Sequence, residues 1–375
     1  MGCVSVTIDI AGLPREHTAF EISPLAELGM ALHALSTPGH HPGLHGWATA
    51  TAAGLSPDLA DRLHEAEFLW QTTHSDVLMP FSGLLSSPRR PGATLAEELD
   101  LMDRLDDERF AAAALDFTCG MSYGKGGDVL GDPVYRDRML ALAAARGPQV
   151  LAAARQLLDD LPAFRAWLRR LLEDCNEAFF ADAWRRVAPQ LAADARHKAE
   201  ILRHKGLAEA LHAVSPAVSV DEGLSRITVD KLVSGRTTAV DPAVGTGLTL
   251  VPSVFGRPHL LVLHAPGWRP VILYPVGGGP EFTDPGSVEL LKLRMEALAH
   301  PMRIQLCRNL ARTPHTTSEL AEAHGITAPE VSRHLAVLKK AGVITTRRRG
   351  RYVLHQLDVA VVARLGSDFL EAVLR

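Results

Sequence analysis

A chain of 375 residues, 47% hydrophobic and 22% charged, has material for two or three domains with buried cores. No apolar run has membrane-spanning length, and Met1-Gly2-Cys3 is no lipidation signal because Val6 stands where Ser or Thr is needed, so a cytoplasmic protein without a membrane partner is expected. The four cysteines, Cys3, Cys119, Cys175 and Cys307, are far apart with no C-x-x-C pair, which excludes a disulfide scaffold. The net charge of −4 conceals an asymmetry: after residue 288 there are 14 Lys and Arg against 8 Asp and Glu, a basic end on an acidic body.

The chain opens with the alternation Val4, Val6, Ile8, Ile10, a strand over 4–10. Amphipathic helices are then predicted from Ser23-Pro24 to about Leu35, from Pro57 toward Trp70, and over 94–114, 132–145, 148–158, 162–181 and 182–214. From Ser215 short β-type runs at 227–229, 248–251, 259–263 and 271–274 alternate with Gly and Pro, as in a small antiparallel sheet. A Gly/Pro-rich stretch, 275–286, reads as a linker. The fold class expected is α+β: a mainly helical region over 1–214, a β-rich segment with linker over 215–286, and a winged helix-turn-helix over 287–375.

Three features of the body imitate active sites. Gly120-Met121-Ser122-Tyr123-Gly124 matches G-x-S-x-G, but the nucleophile elbow needs a strand before it and a helix after it, whereas 109–115 is helical and 125–133 is rich in Gly and Asp. The run His40-His41-Pro42-Gly43-Leu44-His45 spaces His41 and His45 four apart, yet Pro42 and Gly43 break the helix that would align them and no carboxylate is near, so a polar loop is expected. The aromatics Trp47, Phe68, Trp70, Phe81, Phe110, Phe117, Trp167, Phe179, Phe180 and Trp184 are expected to fill the interior.

The last segment is the most informative. Thr316 with Glu319 and Thr327 with Glu330 have capping-box spacing, so two short helices begin eleven residues apart with Gly325 between them. Val331, Leu335 and Leu338 at i, i+4 and i+7 face a core, which turns Thr327, Glu330, Ser332, Arg333 and part of His334 outward. After Gly342 two strands joined across Arg349-Gly350 form a hairpin that carries Arg347, Arg348, Arg349 and Arg351, guanidinium groups suited to phosphates or the minor groove. Double-stranded DNA is the expected partner. Thr327, Ser332, Arg333 and His334, on a helix headed by Ala328, Pro329 and Glu330, are expected in the major groove, and Thr316, Thr317 and Ser318 on the backbone.

These motifs resemble the ArsR-type family of bacterial repressors, whose pattern is met at Ala297-Leu298-Ala299-His300-Pro301-Met302-Arg303, at Val331-Ser332-Arg333-His334-Leu335 and at Ala341-Gly342-Val343. The resemblance covers the last quarter of the chain and implies a winged helix-turn-helix repressor. One departure is chemical: the family often has Gln at the head of the recognition helix, and Ala328 here cannot make the bidentate contact to adenine that Gln makes. The whole arrangement, including Gly247 to Phe255, is similar to long bacterial regulators whose N-terminal region is catalogued as a domain of unknown function.

The family's metal sensors place thiolate pairs on the helix before the recognition helix, or carboxylates and imidazoles on the last helix. Residues 316–323 hold no Cys and 358–374 no His, so neither a metal nor a cofactor is expected, and Cys307 reads as a small buried hydrophobe. The last helix spreads Val359, Val361, Val362, Leu365, Phe369, Leu370, Val373 and Leu374 around more of its circumference than one core needs, which suits a homodimer on a palindromic operator. The body would then be an effector-sensing region or a dimer scaffold, with a small molecule as the effector. The alternatives are an enzyme resting on Ser122 with an appended regulatory domain, or a winged helix used for protein docking.

Overall fold

A computed structural model describes residues 5–71, 74–85, 90–120, 128–231, 235–276, 288–349 and 352–374. The chain divides into two compact units, Met1–Gly279 and Pro280–Arg375.

The first unit begins with β1 (Ser5–Asp9) and β2 (Thr18–Phe20), followed by α1 (Pro24–Ser36), α2 (His45–Gly54), α3 (Pro57–Ala66), α4 (Leu95–Asp103), α5 (Asp107–Gly120), α6 (Pro133–Arg146), α7 (Pro148–Asp159), α8 (Leu161–Cys175), α9 (Ala181–Lys205) and α10 (Leu207–His212). The starts are written locally: Ser23, Ser56, Thr94, Asp132 and Asp160 each accept a backbone N–H from the first turn of α1, α3, α4, α6 and α8. Two long expected helices are broken. The 94–114 stretch bends between Asp103 and Asp107, and the 182–214 stretch is cut at Gly206, whose φ of 94° a residue with a Cβ adopts only with strain. Residues 176–180 form a single π turn between α8 and α9.

Among the described residues eight strands follow or complete this body, β3 (Val218–Val220), β4 (Arg226–Asp230), β5 (Gly235–Thr238), the short β6 (Val240–Asp241) and β7 (Gly245–Thr246), and β8 (Leu248–Ser253), β9 (Leu261–Leu263) and β10 (Val271–Pro275). They do not form one antiparallel sheet. The opening strand joins a sheet ordered β3-β4-β1-β5, and a second sheet runs β2-β8-β10-β9. Pairing is mixed: β2 with β8, β8 with β10 and β1 with β5 are parallel, β1 with β4, β3 with β4 and β9 with β10 antiparallel. The reason is connection length. Parallel neighbours need a long crossover, which the helical excursion between β2 and β8 supplies.

The second sheet separates two cores. Along β10 all of Val271, Ile272, Leu273 and Tyr274 are buried, with Val271 and Leu273 packing into the helical core and Ile272 and Tyr274 into the other. β8 and β9 obey the same alternation, Val251 and Leu263 on the helical side, Leu250 and Val262 opposite. Of the expected core aromatics, Phe68, Trp70, Phe81, Phe110 and Phe180 are buried, and Trp47, Trp167, Phe179 and Trp184 pack partly buried against the same core. The side chain of Phe117 is outside the described residues, as is Ser122. The histidine loop departs from its expectation: it forms two 3-10 turns, Pro38–His40 and Pro42–Leu44, and His41 between them is buried, 1% exposed. The preceding helix α1 covers it from one side and the sequence-remote loop after β8 from another.

The second unit contains α11 (Val288–Leu298), α12 (Pro301–Leu310), α13 (Thr317–His324), α14 (Ala328–Lys340), the hairpin β11 (Ile344–Arg349) and β12 (Tyr352–Leu357), and α15 (Val359–Ala363) and α16 (Leu365–Leu374). The single last helix expected over 358–374 is thus two segments with Arg364 between them. The core joins Leu306, Cys307 and Leu310 to Leu320, Val331, Leu335, Leu338, Val343 and Ile344.

Candidate nucleic-acid interface

Hydrogen bonds between residues three apart set the helix pair. Thr316 Oγ1 accepts the Glu319 N–H at 3.3 Å while the Glu319 carboxylate accepts the Thr316 N–H at 2.6 Å, a complete capping box at the start of α13. The N–H of Thr316 first, and its hydroxyl second, donate to the Glu319 carboxylate and hold it below its usual range. Gly325 ends α13 in the left-handed region, φ 63°, and its N–H returns to carbonyls of the last turn. Thr327 then caps α14, accepting the Glu330 N–H at 3.4 Å, with Pro329 in the first turn where its missing N–H costs nothing.

On α14, Val331, Leu335 and Leu338 are buried, as their spacing requires, leaving Thr327, Ala328, Pro329, Ser332 and Arg333 exposed with Glu330 half-buried. His334 sits at the margin. It is half-buried beside His300, ring centres 4.9 Å apart, and desolvation, with the neighbouring His300 second, lowers its pKa. On α13 Ser318 is exposed, with Thr316 and Thr317 half-buried.

The hairpin ladder runs from Ile344↔Leu357 through Arg347↔Leu354 and Arg348↔Val353 to Arg349↔Tyr352. Because side chains alternate along a strand, Arg347 and Arg348 belong to opposite faces of the hairpin. Arg347 and Arg348 are exposed; the Arg349 side chain, Gly350 and Arg351 are outside the described residues. Backbone bonds in both directions between His315 and His355, 3.0 and 2.8 Å, tie the hairpin to the chain entering α13, so wing and helix pair share a rigid joint.

The Ala-x-x-His-Pro-x-Arg motif has structural duties that spacing did not disclose. His300 Nδ1 caps α12 by accepting the Met302 N–H at 3.2 Å. The Arg303 guanidinium reaches back to donate to the carbonyls of Ala297 and, at 2.8 Å, Glu296, closing the end of α11. Cys307 is buried, and burial raises its thiol pKa.

Comparison with known proteins accounts for both units. Residues 4–280 match a "family of unknown function (DUF5937)", and residues 298–347 match a "helix-turn-helix domain" family. The HTH-type transcriptional repressor SmtB of Mycobacterium tuberculosis is 41% identical over 92 residues, 24% of this chain and 68% of the repressor. The HTH-type transcriptional regulator KmtR of the same organism is 36% identical over 90 residues, 24% of this chain and 69% of that protein. Among solved structures, an ArsR-like transcriptional regulator from Rhodococcus sp. RHA1 is 21% identical with a TM-score of 0.21, covering 23% of this chain and 79% of that one.

Proposed function

Since the chain belongs to the DUF5937 family and is, through its C-terminal unit, an ArsR-type DNA-binding transcriptional regulator, we propose that it represses transcription as a cytoplasmic homodimer on a palindromic operator. The observation that carries the DNA-reading assignment is the exposed side of α14. Its capped first turn and buried Val331-Leu335-Leu338 stripe fix Thr327, Ser332 and Arg333 toward solvent on a helix that the core holds rigid. Arg333 reads a base edge in the major groove, with Thr327, Ala328, Pro329, Glu330, Ser332 and the rim residue His334 around it; Thr316, Thr317 and Ser318 meet the backbone. Arg347, Arg348, Arg349 and Arg351 neutralise phosphates or enter the minor groove. Ala328 offers a methyl group where an amide would read adenine, so this operator differs from those read through Gln.

The homodimer reading rests on apolar side chains left uncovered in one chain: Met295 on α11 is 51% exposed and Phe369 and Val373 on α16 are 44% and 51% exposed. Met295 and Phe369, with Leu298, Ala299 and Leu365, border one depression on this unit, a face that a second copy covers. The N-terminal unit serves as the effector-sensing or scaffolding part, and the protein is not an enzyme. Footprinting of the full chain on its own promoter tests the reading. Arg333→Ala is expected to weaken the footprint at least tenfold while retaining non-specific binding, whereas Arg347→Ala with Arg348→Ala flattens the salt dependence. A chain that protects no DNA would sink the proposal.

A further inference from the structure

Four imidazoles drawn from three separate parts of the N-terminal unit meet at one point. His33 comes from the last turn of α1, His40 and His41 from the 3-10 turns after it, and His259 from the segment between β8 and β9. Ring centres of His33 lie 5.0 Å from those of both His41 and His259 and 5.9 Å from His40; His259 lies 4.9 Å from His41 and 5.8 Å from His40. One nitrogen each of His33, His40 and His259 lies within 4.8 Å of the others.

Hydrogen bonds to backbone carbonyls fix what two of these rings offer. A carbonyl only accepts, so the 2.6 Å contact of His33 Nδ1 with the Trp70 carbonyl places the proton on Nδ1 and the lone pair on Nε2. The 2.6 Å contact of His41 Nδ1 with the Arg257 carbonyl does the same for His41. His41 Nε2 is buried with no hydrogen-bond partner, as is Nδ1 of His40. Imidazoles oriented through the other ring nitrogen by backbone carbonyls are the usual second layer of a metal site.

We propose that His33, His40 and His259, with His41 as the fourth ligand, bind a divalent transition-metal ion of the zinc, cobalt and nickel class. At ligand distances of about 2.0–2.1 Å, tetrahedral geometry holds nitrogens about 3.3 Å apart and ring centres about 5 Å apart. His33 Nε2 and His259 Nε2 stand 3.4 Å apart, and three of the five ring separations already match; His40, half-buried and on a turn, is the ligand that closes in. An all-imidazole set selects borderline ions over magnesium and calcium, which want oxygen. Glu27, two turns before His33 on the same helix, accepts the N–H groups of Val254 and Phe255 at 2.9 and 3.1 Å and so anchors the segment leading to His259. A neutral hydrogen-bonded pair would account for His33 and His259, but would leave the desolvated lone pair of His41 unmet, at about 1–3 kcal/mol. Burial keeps His33 and His41 in the unprotonated, ligating form, with the pKa of His33 lowered to about 4 and that of His41 to about 3.

The site belongs to the N-terminal unit alone and does not rest on the DNA-binding reading, so it is measured without DNA. Metal-stripped full-length protein titrated with Co²⁺ alone should develop visible ligand-field absorption of tetrahedral intensity, saturating at one ion per chain and abolished by Zn²⁺. His40→Ala and His259→Ala should each weaken Co²⁺ binding at least tenfold with an unchanged circular-dichroism spectrum, and His45→Ala, an exposed histidine outside the cluster, should not. His40 is on a half-buried turn, so its variant remains decisive if His259→Ala does not fold. The proposal is overturned by the absence of stoichiometric binding, by His40→Ala binding like the parent, or by a sulfur-to-cobalt charge-transfer band that would place the ion on a cysteine.

Discussion

In the C-terminal unit the contacts that shape the reading face join Thr316 to Glu319 and Thr327 to Glu330, three residues apart. In the N-terminal unit the comparable polar contacts span 75 residues from Ser23 to Glu98 and 226 from Glu27 to Ser253, and the groups they join are buried. A local bond on the surface competes with water and contributes modestly, whereas a buried group that loses its partner keeps the full cost of desolvation. The same types of side chain therefore do different things, Thr316 and Thr327 specifying helix ends while Glu98 and Glu27 fix the relative placement of distant segments.

The largest expected effect tests the buried side of that contrast. Arg269, 5% exposed, donates to the carbonyls of Leu84 and Val244 at 2.8 and 2.7 Å and to that of Phe81, pinning β10 to two loops. Arg269→Ala strands all three acceptors and should cost about 4 kcal/mol or more, since each buried unmet group costs about 1–3 kcal/mol. All five tryptophans lie before residue 269, so the midpoint of urea unfolding by tryptophan fluorescence reads this unit. A shift equivalent to less than about 1 kcal/mol would refute the accounting.

The C-terminal unit has a long-range buried contact of its own. Asp368 on α16 meets Arg294 on α11 at 2.8 Å, with 7% and 14% of their side chains exposed. Asp368→Ala leaves that guanidinium without its carboxylate and should destabilise the unit by about 3 kcal/mol. Hydrogen exchange over 288–374 should accelerate while the tryptophan transition stays in place; an unchanged exchange pattern would mean that the pair is dispensable.

Legibility follows the same division. The helix pair, its caps, the Val331-Leu335-Leu338 stripe and the hairpin were readable because each is encoded within four residues or by strand alternation. The opening strand was readable as a strand, but its place between β4 and β5 was not, since nothing in Val6 or Ile8 names Val229 or Ile227 as partners. The histidine loop failed for the same reason. His40 and His41 read as solvated because Pro42 and Gly43 govern the neighbourhood, while His33 and the remote His259 became neighbours only through the fold. A signal was present in His33, a histidine inside the mostly apolar helix Pro24–Ser36.

Titration sharpens the comparison at smaller amplitude. Burial raises the Glu27 carboxyl from 4.5 to about 7, even though Ser253, Phe255 and Val254 donate to it. Its folded pKa exceeds its unfolded one, so the folded state holds the proton more tightly and loses stability as pH rises from 4.5 through 7. Glu27→Gln keeps the acceptor for both N–H groups and removes the charge. Its advantage over the parent should grow by about 2 kcal/mol between pH 5 and pH 8. The buried histidines titrate alike in both proteins and cancel in the difference. An advantage independent of pH would show that Glu27 is ionised throughout.

The smallest effect lies at the surface. Thr316→Ala removes the hydroxyl that caps α13 but leaves the Glu319 carboxylate able to accept the Thr316 N–H, so half of the capping box survives. The expected loss is about 1 kcal/mol, within the range of a single N-cap, and hydrogen exchange should show it as faster opening confined to the first turn of α13. Because the Thr316 N–H is the larger cause of the lowered Glu319 pKa and the Thr316 hydroxyl the smaller, the variant should bring that exposed carboxyl only part of the way back toward the ordinary range, visible in a carbon-detected titration. If Thr316→Ala instead destabilised the unit as much as Asp368→Ala, the cap would be acting on the core through the His315–His355 bridge beside it, and the separation between local surface bonds and long-range buried ones would fail where it is expected to be cleanest.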